Sequence, residues 1–150
     1  MTENIMYGKL TKTQLDAFLE NAILARLSTA VRSKEDPAQF QPHVTPVWFY
    51  WDGESLYISA FTSTRKVKEV RRNPFIAVLI DLMEPIDGVT AVLMEGRCDW
   101  ITGTELVQEM SRVIYTRYMG EGVNAEAPQS WIVDPENSII KLTPAKIYTW

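Results

Sequence analysis

The sequence predicts an α+β fold whose antiparallel sheet closes as a barrel. Three observations predict it. Runs of β-branched and aromatic residues recur along the chain, as at 43–51 and 75–81. Tight-turn signals such as Asp52-Gly53 join neighbouring runs. Helical patterns interrupt them only three times, too few for alternating strand and helix in a parallel sheet.

Each element has its own signal. Thr11 and Gln14 have capping-box spacing, and Leu15, Phe18 and Leu19 follow at helical spacing, so a first helix runs from Lys12 to Asn21. Ile23 to Val31 reads as a strand with Ala25, Leu27 and Thr29 on one face. Ser33 to Gln41 is a polar, Pro37-bearing loop. His43 to Trp51 is one strand, turned at Asp52-Gly53 into a return strand over Leu56 to Phe61. Pro46 cannot donate to a ladder, so either its strand is an edge there or something else lies beside its backbone. A short helix over Thr64 to Asn73 buries Val67 and Val70, and Pro74 stops it. Phe75 to Asp81 is a buried strand, Met83 to Gly88 a turn, and Val89 to Asp99 a strand. Thr102 and Glu105 have capping-box spacing before a helix reaching Tyr118, with a core stripe of Leu106, Met110, Val113 and Ile114. Gly120 to Gln129 reads as a flexible stretch, and strands over Ser138 to Thr143 and Lys146 to Trp150 close the chain.

A chain of 150 residues fits one domain, 1–150, with a core of its own. The single cysteine, Cys98, forms no internal disulfide, and with one histidine the chain offers no Cys/His metal set. The first residues lack the apolar run of a signal peptide, and no stretch has the ~20 apolar residues of a membrane span, so the cytoplasm is the expected compartment. A net charge of −4 disfavours general attraction to nucleic acid or acidic membranes. An anion must therefore be held by a local site.

Thr62-Ser63-Thr64-Arg65-Lys66 is the segment suited to that task. It lies where a strand ends and a helix begins, and it puts Arg65 and Lys66 in the helix's first turn. The dipole is positive there and the N–H groups lack partners, so two cations are misplaced unless an anion is bound. A phosphate would accept from the N–H groups, the hydroxyls and both cations. The competing reading is a solvated basic helix face, since Lys68, Arg71 and Arg72 follow within the same eight positions. No Ser-His-Asp set, Gly-rich phosphate loop or dinucleotide fingerprint is present, so no catalytic residue is assigned.

These residues carry a resemblance. His43 to Trp51, the Asp52-Gly53 turn, Leu56 to Phe61, Ser63-Thr64-Arg65-Lys66 and Arg72-Asn73-Pro74 resemble, in order and spacing, the flavin-binding pyridoxamine 5'-phosphate oxidase-like family. The resemblance covers about residues 23 to 99. It implies a split β-barrel homodimer with FMN, or a related deazaflavin, in clefts at the interface. His43, Val44, Thr45, Pro46 and Val47 would line the ring and ribityl chain. Thr62, Ser63, Thr64, Arg65 and Lys66 would hold the phosphate. Ala91 and Trp150 would reach the cofactor from the partner subunit. It further implies an oxidoreductase acting on a small molecule. Authentic oxidases resemble one another in an arginine at the His43 position, a lysine at the Trp48 position and an Arg-x-His element near the C-terminus. This chain has none of the three, so the pyridoxal-pathway reaction is not expected. The alternative is a non-catalytic flavin- or haem-binding protein. A lone strand histidine without a supporting cluster argues against haem ligation.

Overall fold

The structure is a computed structural model that describes residues 6–103 and 105–150. A two-stranded ribbon, β1 (Met6–Tyr7) and β2 (Leu10–Thr11), leads into α1 (Lys12–Asn21). Thr11 caps this helix reciprocally: its hydroxyl accepts from the Gln14 N–H at 3.2 Å and its own N–H donates to Gln14 Oε1 at 3.0 Å. Leu15, Phe18 and Leu19 are fully buried, as their spacing requires.

The following strands are β3 (Ala25–Arg32), β4 (Phe40–Val47), β5 (Tyr50–Trp51) and β6 (Leu56–Phe61). After α2 (Arg65–Arg72) come β7 (Phe75–Ile86) and β8 (Val89–Thr102). After α3 (Glu105–Met119), a 3₁₀ turn (Gly120–Asn124) and α4 (Glu126–Val133), the chain ends in β9 (Asn137–Leu142) and β10 (Lys146–Thr149). The main sheet is antiparallel in the order β4-β3-β7-β8-β9-β6-β5, with β10 also paired to β8. Its two outermost strands, β4 and β5, are joined only by Trp48 and Phe49. The sheet is thus an α+β split barrel.

β8 ties the halves together. Its residues Ala91–Arg97 pair with β7, and Cys98–Thr102 pair with β9. A Cβ at Gly96 would lie 3.1 Å from the Ala145 amide nitrogen, so glycine permits the β9–β10 crossing at this point. Phe18, Leu27, Phe49, Leu56, Ile58, Ile80 and Met94 fill the interior. Cys98 belongs to this core, and burial pushes its thiol up to about 11, which suits packing rather than chemistry.

Several expectations change. Ile23 and Leu24 are exposed, and the first strand begins at Ala25. The long His43–Trp51 strand is two strands, because the chain leaves β3 after Val47 and reaches β6 only at Tyr50. The 83–88 turn shrinks to Asp87-Gly88, whose φ values of 50° and 76° are those of a tight hairpin, so β7 runs on to Ile86. Thr102 ends β8 instead of capping α3, which begins at Glu105; residue 104 lies outside the described residues. The buried face of α3 is Val107, Ser111 and Ile114, turned from the predicted stripe because Ser111 meets Asn137 on β9. Gly120–Gln129 is the 3₁₀ turn and the start of α4, not an open stretch. Among the described residues no helix is long and apolar enough to cross a membrane.

Candidate functional site

The start of α2 is positioned by the β6–β9 pair. Thr62 donates its N–H to the Glu136 carbonyl at 2.8 Å, and its hydroxyl to the Glu136 carboxylate. Thr64 is the N-cap residue, yet its hydroxyl donates to the Phe61 carbonyl at 2.7 Å and accepts nothing from the helix. No acid stands in the first turn. The first N–H groups of α2 therefore have no side-chain cap and no acid in the helix's own first turn, and the Glu136 carboxylate is taken up by the Thr62 hydroxyl two residues before the cap. Ser63 is exposed beside them. Lys66 is partly buried there, burial lowers its pKa, and among the described residues it joins no ion pair. A cation desolvated without a partner, at the positive end of a helix, is unfavourable by itself and fits an anion. The donor set suits a phosphate: backbone N–H groups, a free hydroxyl and an ammonium.

Arg65 points elsewhere. Its Nε donates to Glu69 Oε1 at 2.5 Å, one turn along α2. The Glu69 side chain is only 6% exposed. Its other oxygen accepts from the Thr29 hydroxyl at 2.9 Å, and His43 Nδ1 approaches Oε1 at 3.1 Å. That imidazole nitrogen is buried and lies off the line of a hydrogen bond, so it has a charged neighbour but no directed partner. A groove of about 380 Å³ opens beside this cluster, lined by Arg32, Lys34, Arg65, Lys68 and Arg72 together with Glu35 and Glu69.

The structure thus brings His43 and Arg65 onto one carboxylate, and leaves Thr62, Ser63, Thr64 and Lys66 contiguous around the helix start. Thr45 and Val47 share the face of β4 that carries His43, whereas Val44 and Pro46 turn to the outer face. Pro46 sits on an edge strand, since β4 pairs only with β3. Ala91 and Trp150 meet one another: the Ala91 N–H donates to the Trp150 carbonyl at 3.0 Å, and the Trp150 N–H returns to the Ala91 carbonyl at 3.2 Å. Both lie on the β8–β10 ladder, and neither is among the partners of His43, Arg65 or Glu69.

Two groups escape the sequence reading. Glu69 reads as one half of an exposed i,i+4 pair with Arg65, and nothing local signals its burial against β3. Trp48 stacks on Tyr118 with ring centroids 4.7 Å apart and 5° between planes. Tyr115 meets Trp48 and Trp131 edge-on, at 6.0 and 6.1 Å. The Tyr118 hydroxyl accepts the Phe49 N–H at 3.2 Å, so this aromatic wall fixes the chain where it passes from β4 to β5. Burial raises the Tyr115 pKa, against the hydrogen bond to Ser59.

Comparison with known proteins bears on this geometry. Residues 11–150 match the sequence model of the family described as pyridoxamine 5'-phosphate oxidase. No curated protein matches the chain. Solved structures similar to it include a putative pyridoxamine 5'-phosphate oxidase from Listeria innocua, 25% identical, covering 92% of this chain and 96% of that one with a TM-score of 0.68. An F420 reductase is 23% identical, covering 88% and 94% with a TM-score of 0.66. HutZ from Vibrio cholerae, a heme storage protein, is 12% identical, covering 91% and 92% with a TM-score of 0.67. At these identities the last two are alike in fold.

Proposed function

The chain belongs to the pyridoxamine 5'-phosphate oxidase family, and from that premise we propose that it is a flavin-dependent oxidoreductase binding FMN, or a deazaflavin, through its phosphate at the start of α2. One observation carries the reading: an uncapped helix N-terminus with no acid in its first turn and with Lys66 desolvated beside it. When bound, such a cofactor supplies hydride or electron transfer at its ring. The chain's own residues bind and orient. Ser63, Lys66 and the first N–H groups of α2 hold the phosphate, and Thr45 lies along the ribityl chain and ring, whereas Val47 on the same face of β4 packs in the core. The similarity to an F420 reductase supports keeping the deazaflavin open.

The proposed assembly is a homodimer with the cofactor at its interface. It is supported by an apolar outer face on β3, β4, β7 and β8. The substrate is a small molecule whose identity the site does not reveal.

Titration with FMN and with riboflavin, which lacks the phosphate, tests the reading. Retained flavin absorption, and FMN bound at least about tenfold more tightly than riboflavin, is the expected result. Equal affinities would remove the phosphate site. The second reading, a haem-binding protein, rests on the fold shared with HutZ and predicts a Soret band instead.

A further inference from the structure

The basic run of α2 divides in the structure. Arg71 turns onto the Trp100 ring, 4.2 Å from its centroid, and leaves the other cations. Arg65, Lys68, Glu69 and Arg72 are spaced i, i+3, i+4 and i+7, so they form one stripe along the helix. The groove beside that stripe is lined as well by Arg32, the last residue of β3, and by Lys34 in the loop after it. A solvated helix face carries its cations alone. Here a second element brings two more to the same groove.

The fold fixes these charges without cancelling them. Arg72 donates to the Arg32 carbonyl at 2.9 Å, and Arg32 donates to the Pro37 carbonyl at 2.8 Å. Asn73 Nδ2 donates to the Ala30 carbonyl at 2.6 Å, which ties the end of α2 to β3. A carbonyl orients a guanidinium but brings no counter-charge. Among the described residues, Arg32, Lys34, Lys68 and Arg72 join no ion pair. Of the two acids in the lining, Glu69 is committed to Arg65, which leaves Glu35. Four unpaired cations at one groove repel one another, and a bound polyanion relieves that repulsion.

The groove continues past Arg32 and Arg72 into a second hollow of about 350 Å³, which they also line together with Phe40. Arg32 and Phe40 are the last register pair of β3 and β4, and the guanidinium lies 5.0 Å from the ring centroid. The Phe40 side chain is 56% exposed. An exposed ring with a guanidinium over it is a surface on which a nucleobase stacks.

We propose that this double groove is a nucleotide site, taking a nucleoside diphosphate or triphosphate. The phosphates lie among Lys34, Lys68 and Arg72, and the base lies on the Arg32–Phe40 pair. The site is separate from the cofactor phosphate position proposed above. Thr62, Ser63, Thr64 and Lys66 do not line it, and Arg65, which does, is held by Glu69. A nucleic-acid strand would need a basic track across the surface, and the chain's net charge of −4 offers it little general attraction.

Calorimetric titration of the whole chain with ADP, adenosine and inorganic pyrophosphate, with and without excess FMN, tests the proposal. ADP should bind at least about tenfold more tightly than adenosine, the effect of one hydrogen bond to a charged group. It should also bind about tenfold more tightly than pyrophosphate, because the base adds stacking. Excess FMN should leave the ADP affinity unchanged. F40S should weaken ADP about tenfold and spare pyrophosphate. K34Q/K68Q should weaken both at least about tenfold and spare FMN. No ADP binding, ADP bound no more tightly than pyrophosphate, or a single-stranded oligonucleotide preferred to ADP would overturn the nucleotide site. Displacement of ADP by FMN would overturn it too, by placing ADP in the cofactor's own position. Failure of FMN to bind would remove the cofactor reading and leave the comparison of ADP, adenosine and pyrophosphate decisive. That comparison is made on the wild type, so it holds even where a variant fails to fold.

Discussion

Arg65 and Lys66 are neighbours with opposite commitments. Among the described residues Lys66 joins no ion pair, so its charge is available to a ligand. Arg65 is occupied by a buried carboxylate. K66A should weaken FMN binding about tenfold to a hundredfold, the worth of one hydrogen bond to a charged group. It should leave stability unchanged or raise it by about 0.3–1 kcal/mol, because a cation leaves the positive end of a helix. R65A should instead lower stability by about 1.5 kcal/mol, the low end for a charged hydrogen bond, because its guanidinium is more than half exposed. Urea unfolding of both variants checks this, and equal midpoints would refute the division of roles. The sequence disclosed the conflict at the helix start because cations, hydroxyls and a strand–helix junction are local features. It hid the second commitment because Glu69 is buried by Thr29, forty positions away.

The β5–β6 hairpin shows how an element is held by one side chain. Asp52 Oδ1 accepts the Glu54 and Ser55 N–H groups at 2.8 and 2.7 Å, and Oδ2 accepts the Tyr57 hydroxyl at 3.0 Å. Burial pushes the Asp52 carboxyl up, but these bonds together with Lys141 outweigh it and leave it below its ordinary 3.8. A group whose folded value lies below its unfolded one stabilises fully above the unfolded value, and loses that contribution as pH falls through the folded one. Wild type should therefore lose stability below about pH 4 faster than D52N, in which the turn acceptor remains but does not titrate. Urea midpoints between pH 6 and pH 2.5 measure it, and parallel curves for the two proteins would exclude Asp52. Elements like this turn and the Thr11 cap are legible because their partners lie within three residues. The break between β4 and β5 is not. His43 to Trp51 has strand composition throughout, and only the stacking of Trp48 on Tyr118 and the Phe49 bond to the Tyr118 hydroxyl show where the chain passes from one edge strand of the sheet to the other.

At the scale of the molecule, the outer face of the β4-β3-β7-β8 sheet is unusual for a surface. Strand alternation in an antiparallel sheet normally turns polar residues outward. Here the register places Pro46, Leu79 and Leu93 in one row across Arg26, with Val44 and Ala77 beside Ser28 in the next. Val44 is 59% exposed and Phe75 62%. A cluster of this kind marks a surface meant to be covered. In the proposed homodimer this face would meet the same face of a second copy across a two-fold axis. L79E places a charge at the centre of the face without touching the barrel interior. The isolated subunit should keep its far-ultraviolet circular dichroism and most of its stability, while sedimentation velocity shows a monomer. Flavin retention should fall together with the dimer, because the proposed cleft is completed across the interface. A monomer that still binds FMN with wild-type affinity would place the whole cofactor site within one chain. A dimer that survives L79E would move the interface to another face.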